Sequence, residues 1–295
     1  MARPVQILTD SCSDMPKELR EKYNIDYVKM NTVYEGKETP ASLDFEYYTP
    51  KELYDTMRNG GRVTTTQVPP AEFERAFSQY LSEGKDVVYI GCALKQSSSV
   101  NTGTVVAKRL LQEHPEAKIF CIDALNACFG EALLAIRASE YRDQGMDAQA
   151  IADKVMGDRN FVNEYCTVHT LDYMKRAGRI TASKAFFGNL FGVKPIIIAD
   201  RVGAQVGYKK AKGRQTSMQE IVNLLKESIV DPENQTVFVL HGDCQAEADE
   251  LAKLVKDAIP CKDTYTTYIG PIIGASLGPD ALALFAWGKE ITFEG

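Results

Sequence analysis

Residues 86–123 read DVVYIGCALKQSSSVNTGTVVAKRLLQEHPEAKIFCID. The β-branched run Val87–Ile90 predicts a strand, a serine-rich loop leads into a helix ending near His114, and Lys118–Ile122 predicts the next strand. A strand, a crossover helix and a second strand in this order form a βαβ unit, so the two strands run parallel. Working outward, Val5–Leu8 predicts an earlier strand, followed by a helix over about Pro16–Lys22 that Ser13 and Asp14 can cap. On the other side a helix is expected over Asn126–Arg142. Parallel sheets gather ligands beyond the carboxyl ends of their strands, which points TDSCSD (9–14), GCALKQSSS (91–99) and Asp123 toward one crevice.

After a helix expected over Asp147–Met156 the pattern changes. Strands are predicted at Tyr165–His169, Lys194–Ala199, Gln205–Lys210, Gln235–Leu240 and Thr264–Ile269, the second and third joined by a turn at Val202 and Gly203. Long helices are expected over Met218–Ile229, opened by a Ser217–Glu220 capping box, and over Gln245–Ile259. This is a mixed sheet with helices, and it sets the expected class as α/β. Two domains are predicted, a parallel-sheet unit at 1–157 and a mixed-sheet unit at 158–295. No Gly/Ser linker separates them, so they are expected to share a cleft where ligand collects.

A chain of 295 residues with 44% apolar content can bury a large core. Its net charge of −6 gives no basic face for nucleic acid or an anionic membrane. No apolar run reaches the roughly 18 to 20 residues that cross a bilayer, and residues 1–10 lack a signal-peptide core, so a cytoplasmic location is expected. Seven scattered cysteines and three histidines show neither disulfide nor zinc spacing. The pair His241 and Cys244 in HGDC reads first as a strand end running into a helix, and no metal or cofactor is expected. Walker and Gly-x-Ser-x-Gly motifs are absent, which removes the usual support for nucleotide hydrolysis or α/β-hydrolase chemistry.

The stretch LDYMKRAGRITASKAFFGNLFGVK (171–194) ends a short helix on Gly178 and sends Arg179 out on a sharp vector. Guanidinium suits a carboxylate or phosphate whose apolar end lies along Phe186, Phe187, Leu190 and Phe191. The plainer reading is an arginine bridging a surface acid, with the phenylalanines as core. Thr64, Thr65, Thr66 and Gln67, stiffened by Pro69 and Pro70, offer hydroxyl donors or else an N-capped helix entry. Ser97–Ser99 with Thr102 can form a nest at a helix start. TDSCSD, with Asp10 and Asp14, reads either as a cap and turn or as an acid/base or metal site.

Taken in order, TDSCSDMP, TTTQVPPAEF, IGCALKQSSS, KIFCID, AGRITASKAFFGNLFGVKPII, KKAKGR and IGPIIGASLGPDAL resemble the DegV family over essentially the whole chain. The resemblance implies a non-catalytic carrier that holds a fatty acid, threads its acyl chain into an internal tunnel and presents it to a fatty-acid kinase. It places Thr65 and Thr66 on the family's Thr-Ser-Gln-Pro motif and Arg179 on its Gly-Gly-Arg-Ile motif. The family's hydroxyl-rich loop carries Cys92 and Lys95 here, with Ser98 further along, and the family's histidine position carries Ser276. The head-group clamp is thus altered, and Lys95 would favour a more anionic head group. Tunnel walls are expected among Phe186, Phe187, Leu190, Phe191 and Ile197. Lys212 and Arg214 are read as a kinase-docking surface or as a solvated strand edge. From a different class stands an enzyme that reuses the cleft, with Cys92 as nucleophile and Asp10 or Asp123 as acid or base. A member of the family altered to bind a different anion is a third reading.

Overall fold

The computed structural model describes residues 3–181, 186 and 192–295. Four parallel strands form a sheet in the order Ile25–Val28, Val5–Asp10, Asp86–Gly91 and Ile119–Asp123. Every residue of Val5–Asp10 and Asp86–Gly91 is buried, as expected where helices cover both faces of a parallel sheet. A second, seven-stranded sheet has the order Asp263–Tyr268, Thr236–His241, Leu282–Trp287, Val162–Thr167, Val193–Ala199, Gln205–Lys212 and Ile180–Thr181. Its pairs are parallel at the two ends and antiparallel between, which makes it the expected mixed sheet.

Helix Phe129–Asp143 joins the two sheets, packing on Val5–Asp10 of the first and on Val162–Thr167 and Leu282–Trp287 of the second. Its residues from Phe129 to Ile136 are buried on every side, because this part has a sheet on either side, and only its last two turns reach solvent. The Phe129 ring stacks on Phe238 at 4.1 Å, and one apolar core runs from Ile7 through Phe129 to Phe285. A second cluster fills the space between the seven-stranded sheet and helices Arg214–Ser228 and Gln245–Ala258.

A small antiparallel sheet, Lys37–Pro40, Asn31–Tyr34 and Thr64–Thr66, lies outside both patterns read from the sequence. The three threonines form a strand here, not a capped helix entry, and the following helix is Pro70–Ser82. Two expected caps are also corrected. The helix Lys17–Lys22 starts from Pro16 without a side-chain cap, while Ser13 and Asp14 are buried before it. The helix expected from Met218 begins at Arg214, because Gly213 at φ 84° turns the chain one residue earlier. Ser217 then lies inside the first turn and donates to the Arg214 carbonyl at 2.7 Å. Among the described residues no helix is long and apolar enough to cross a membrane.

Candidate functional site

Three elements from different parts of the chain enclose a cavity of about 340 Å³. The first is the loop after strand Asp86–Gly91, which carries Cys92, Lys95 and Ser98. The second is the threonine strand with Gln67, and the third is helix Pro271–Leu277, which contributes Ile272, Ile273 and Ser276. Arg179 closes one side directly after Gly178, whose φ of 68° ends helix Asp172–Ala177 and whose amide returns to the Met174 carbonyl. The structure therefore places Thr65, Thr66, Arg179, Ser276, Cys92, Lys95 and Ser98 around one space.

Hydrogen bonds decide which of these groups are free to receive a ligand. Thr66 donates to Glu38 at 2.8 Å and Thr64 reaches the Val33 carbonyl, whereas Thr65 has no side-chain partner among the described residues. Alternation along the strand turns Thr65 to the side opposite its neighbours. Ser97 and Ser99 bond each other at 2.9 Å, and Ser99 accepts from the Val68 amide, so the serine nest is spent tying the loop down. Ser276 is half-committed to the Ile272 carbonyl at 3.4 Å. Arg179 donates to the carbonyls of Gln96, at 3.3 Å, and Ala177. It meets no acid among the described residues, which removes the reading of a surface ion pair. Lys95 stands exposed at the mouth, and the lining contains neither aspartate nor glutamate.

The floor is made by Cys12, Cys92 and Met30, with the Cys12 sulfur 3.5 Å from that of Met30. Asp10 fixes both cysteines, accepting the Cys12 amide at 2.8 Å and the Cys92 amide at 3.2 Å. The neighbouring Cys12 thiol favours a Cys92 thiolate, but burial and the charges of Asp10, Asp123 and Asp14 outweigh it and push the thiol up. A nucleophile needs the opposite shift. Asp123 is occupied with the amides of Leu94 and Leu125, which hold the loop, and it does not line the cavity as its strand-end position suggested. TDSCSD acts as a buried turn: Asp10 accepts the Cys12 amide, and the Ser13 amide donates to the Asp10 carbonyl.

Of the remaining expectations, Ile197 is fully buried in the core and Phe186 packs against Gly207, where a Cβ would sit 2.3 Å from the ring. Neither lines this cavity. Phe187, Leu190 and Phe191 lie outside the described residues. Arg214 is largely covered, donating to Glu247 at 2.7 Å and to the Asp280 carbonyl at 2.7 Å, while Lys212 is exposed. His241 ends its strand and accepts the Cys244 amide at 3.2 Å. Among the described residues no group of three or more His, Cys, Asp or Glu side chains converges as a metal site. Ile272, Ile273 and Met30 were not anticipated in the wall. The signal for the first two was the proline and glycine that bracket PIIGASLG, a short helix by the same rules that found the longer ones.

The molecule is thus an α/β protein with two large sheets and one small one, and with a cationic, hydroxyl-lined cavity where a strand-end loop of the parallel sheet and the threonine strand of the small sheet meet a short helix. The chain belongs to the DegV family, described as "uncharacterised protein, DegV family", whose model matches residues 4–289. A DegV domain-containing protein of Clostridium perfringens is 33% identical over 282 residues, covering 96% of this chain and 97% of that protein. The fold is shared with a DegV family protein from Thermus thermophilus described for its fatty acid binding (TM-score 0.84, 24% identity, 98% of this chain and 100% of that one). It is shared equally with a stearic-acid-binding protein from Eubacterium ventriosum (TM-score 0.85, 24% identity, 95% and 97%).

Proposed function

We propose that this protein is a cytoplasmic, non-catalytic carrier of a long-chain fatty acid or related acyl anion, with the head group in the cavity described above. The observation that carries this reading is the convergence of an acid-free guanidinium, Arg179, with the unpartnered hydroxyl of Thr65 and with Ser276. Fatty-acid binding by relatives of the same fold supports it. In this reading residues 1–157 and 158–295 act as two domains, and the head group sits at their junction. The acyl chain is proposed to extend toward Phe186 and Ile197; Phe187, Leu190 and Phe191, also expected along it, lie outside the described residues. At about 0.8 kcal/mol for each buried methylene, the chain supplies most of the affinity. The polar groups, at about 1.5 to 3 kcal/mol for each bond to a charged partner, fix its orientation.

Presentation to a fatty-acid kinase completes the proposal. With Arg214 held by Glu247, the docking contact falls to Lys212, and Lys212→Glu should stop acyl phosphate formation while lipid binding persists. The test of the carrier reading is native and denaturing mass spectrometry of the purified protein with organic extraction. An acyl acid near unit stoichiometry, reduced in Arg179→Ala and Thr65→Val, is expected. A protein that is empty and takes up no added fatty acid would sink the reading. The raised Cys92 thiol gives no support to the enzyme reading.

A further inference from the structure

Across the wall formed by Thr65, Arg179 and Ser276 lies a second cavity of about 80 Å³. Arg62 and Arg176 line it together with Arg179, and, like its neighbour, it has no aspartate or glutamate in its lining. Arg62 follows the turn at Gly60 and Gly61 that leads into the threonine strand. Arg176 stacks over Tyr173 at 4.8 Å and donates through Nε to the Asp172 carbonyl at 3.1 Å. The Tyr173 hydroxyl is itself anchored on the Met57 carbonyl at 3.2 Å. Arg176 is therefore held in place before any ligand arrives.

None of the three guanidinium groups meets a carboxylate among the described residues. Nearby Arg58, by contrast, is paired with Asp55, Asp243 and Asp280 at 2.6 to 3.1 Å. Acids are plentiful in this chain of net charge −6, yet none lies in these walls. Guanidinium cannot shed its proton, so these three exposed charges are screened only by water and salt until an anion enters. A lone carboxylate offers one charge and two oxygens, which Arg179 alone can engage. A tetrahedral oxyanion offers up to two charges and three equivalent oxygens, enough for three forks at once.

We propose that the second cavity is an oxyanion subsite for a phosphoryl- or sulfonyl-type group, with Arg62 and Arg176 its dedicated ligands and Arg179 shared with the head-group cavity. The inference deepens the carrier reading and rests on it only for the apolar part of the ligand. The test is calorimetry at pH 8.5 with dodecylphosphonate, dodecanoate and inorganic phosphate on the wild type, Arg62→Gln, Arg176→Gln and Arg62→Lys. Both glutamine variants should weaken dodecylphosphonate about tenfold or more and dodecanoate less than about twofold, with Arg62→Lys recovering part of the loss. Phosphate that binds alone and depends on Arg62 identifies a free phosphate as occupant. Phosphonate binding without phosphate binding identifies the head group of a lipid. The subsite is refuted if the two dodecyl ligands lose affinity by factors within about threefold of each other, or if no phosphorus ligand depends on Arg62. Should dodecanoate fail to bind while phosphate still depends on both arginines, the carrier reading falls and the subsite stands.

Discussion

The rim of the head-group cavity and the floor just beneath it handle charge in opposite ways. Among the described residues, Lys95 and Arg179 at the rim stand without acids, and Asp10, Asp14 and Glu131 beneath the floor stand without cations. Asp10 accepts from the Tyr89 hydroxyl at 2.6 Å and from the amides of Cys12 and Cys92, the two residues whose side chains face the cavity. Glu131 accepts from the Thr9 hydroxyl and the Asp10 amide, and burial followed by the charge of Asp10 pushes it far above the usual carboxylate range. Burial likewise lifts Asp14 to about 8, against a hydrogen bond from Cys128. Buried acids can meet the cost of desolvation by holding a proton, which arginine cannot do. The floor is thus neutralised by the fold itself, whereas the rim is left for a ligand to neutralise.

The strongest way to break this contrast is at the rim. Arg179→Gln removes the fixed charge and its paired donors, and fatty-acid affinity should fall roughly a hundredfold, since two bonds to a charged group are each worth about 1.5 to 3 kcal/mol. Unfolding of the ligand-free protein should barely change, because Arg179 holds only backbone carbonyls. A loss of stability matching the loss of binding would show that Arg179 belongs to the fold.

The floor is tested through pH at Asp14, which is raised to about 8; Glu164, a buried acid beside Gln205 in the seven-stranded sheet and raised to about 7, gives an independent check of the same effect. Above the ordinary carboxylate pKa the unfolded chain releases these protons while the folded chain keeps them. The folded state then binds more protons, so stability falls as pH rises from about 4 to about 8 and levels off beyond. Asp14→Asn and Glu164→Gln should each flatten that slope and gain on the order of 3 to 5 kcal/mol relative to wild type at pH 8 compared with pH 4. Urea unfolding across this range reads it directly, and parallel curves for wild type and variants would refute the protonated floor.

Cys92 sits where the two regions meet, and a smaller effect is expected there. Its raised thiol should alkylate with iodoacetamide more slowly at pH 7.5 than free cysteine, by about tenfold or more given its burial. Rapid modification at this residue, located by peptide mapping, would restore the case for a nucleophile.

Legibility followed the same division between local and distant causes. Three of the four parallel strands could be read, Val5–Asp10 and Asp86–Gly91 because they are buried on both faces and so appear as apolar runs, whereas the edge strand Ile25–Val28 was missed; Gly178 could be read because a helix stop is a local event. The small sheet could not. Lys37–Pro40 and Thr64–Thr66 carry no apolar alternation, and only pairing with Asn31–Tyr34 makes them strands. The positions around the cavity were recognisable from their motifs, but their states were not. Thr66 is taken by Glu38 and Arg214 by Glu247, partners 28 and 33 residues away. Nor does TDSCSD announce that its acids lie buried; that depends on Tyr89, Cys92, Cys128 and Glu131 arriving from three other elements.

The smallest effect belongs to Lys95, the other cation of the rim. It is exposed, so its attraction for an anion works through water and is screened within about 8 to 10 Å at ordinary salt. Lys95→Ala should lower dodecanoate affinity by only about two- to threefold at low ionic strength, a difference that closes as salt approaches about 0.5 M. Arg179→Gln should keep most of its deficit under the same salt, because its loss is of directed hydrogen bonds as well as of charge. If both deficits disappear with salt, the rim acts as a diffuse positive field and the head group is not clamped. If the Lys95→Ala deficit persists, that ammonium contacts the ligand directly.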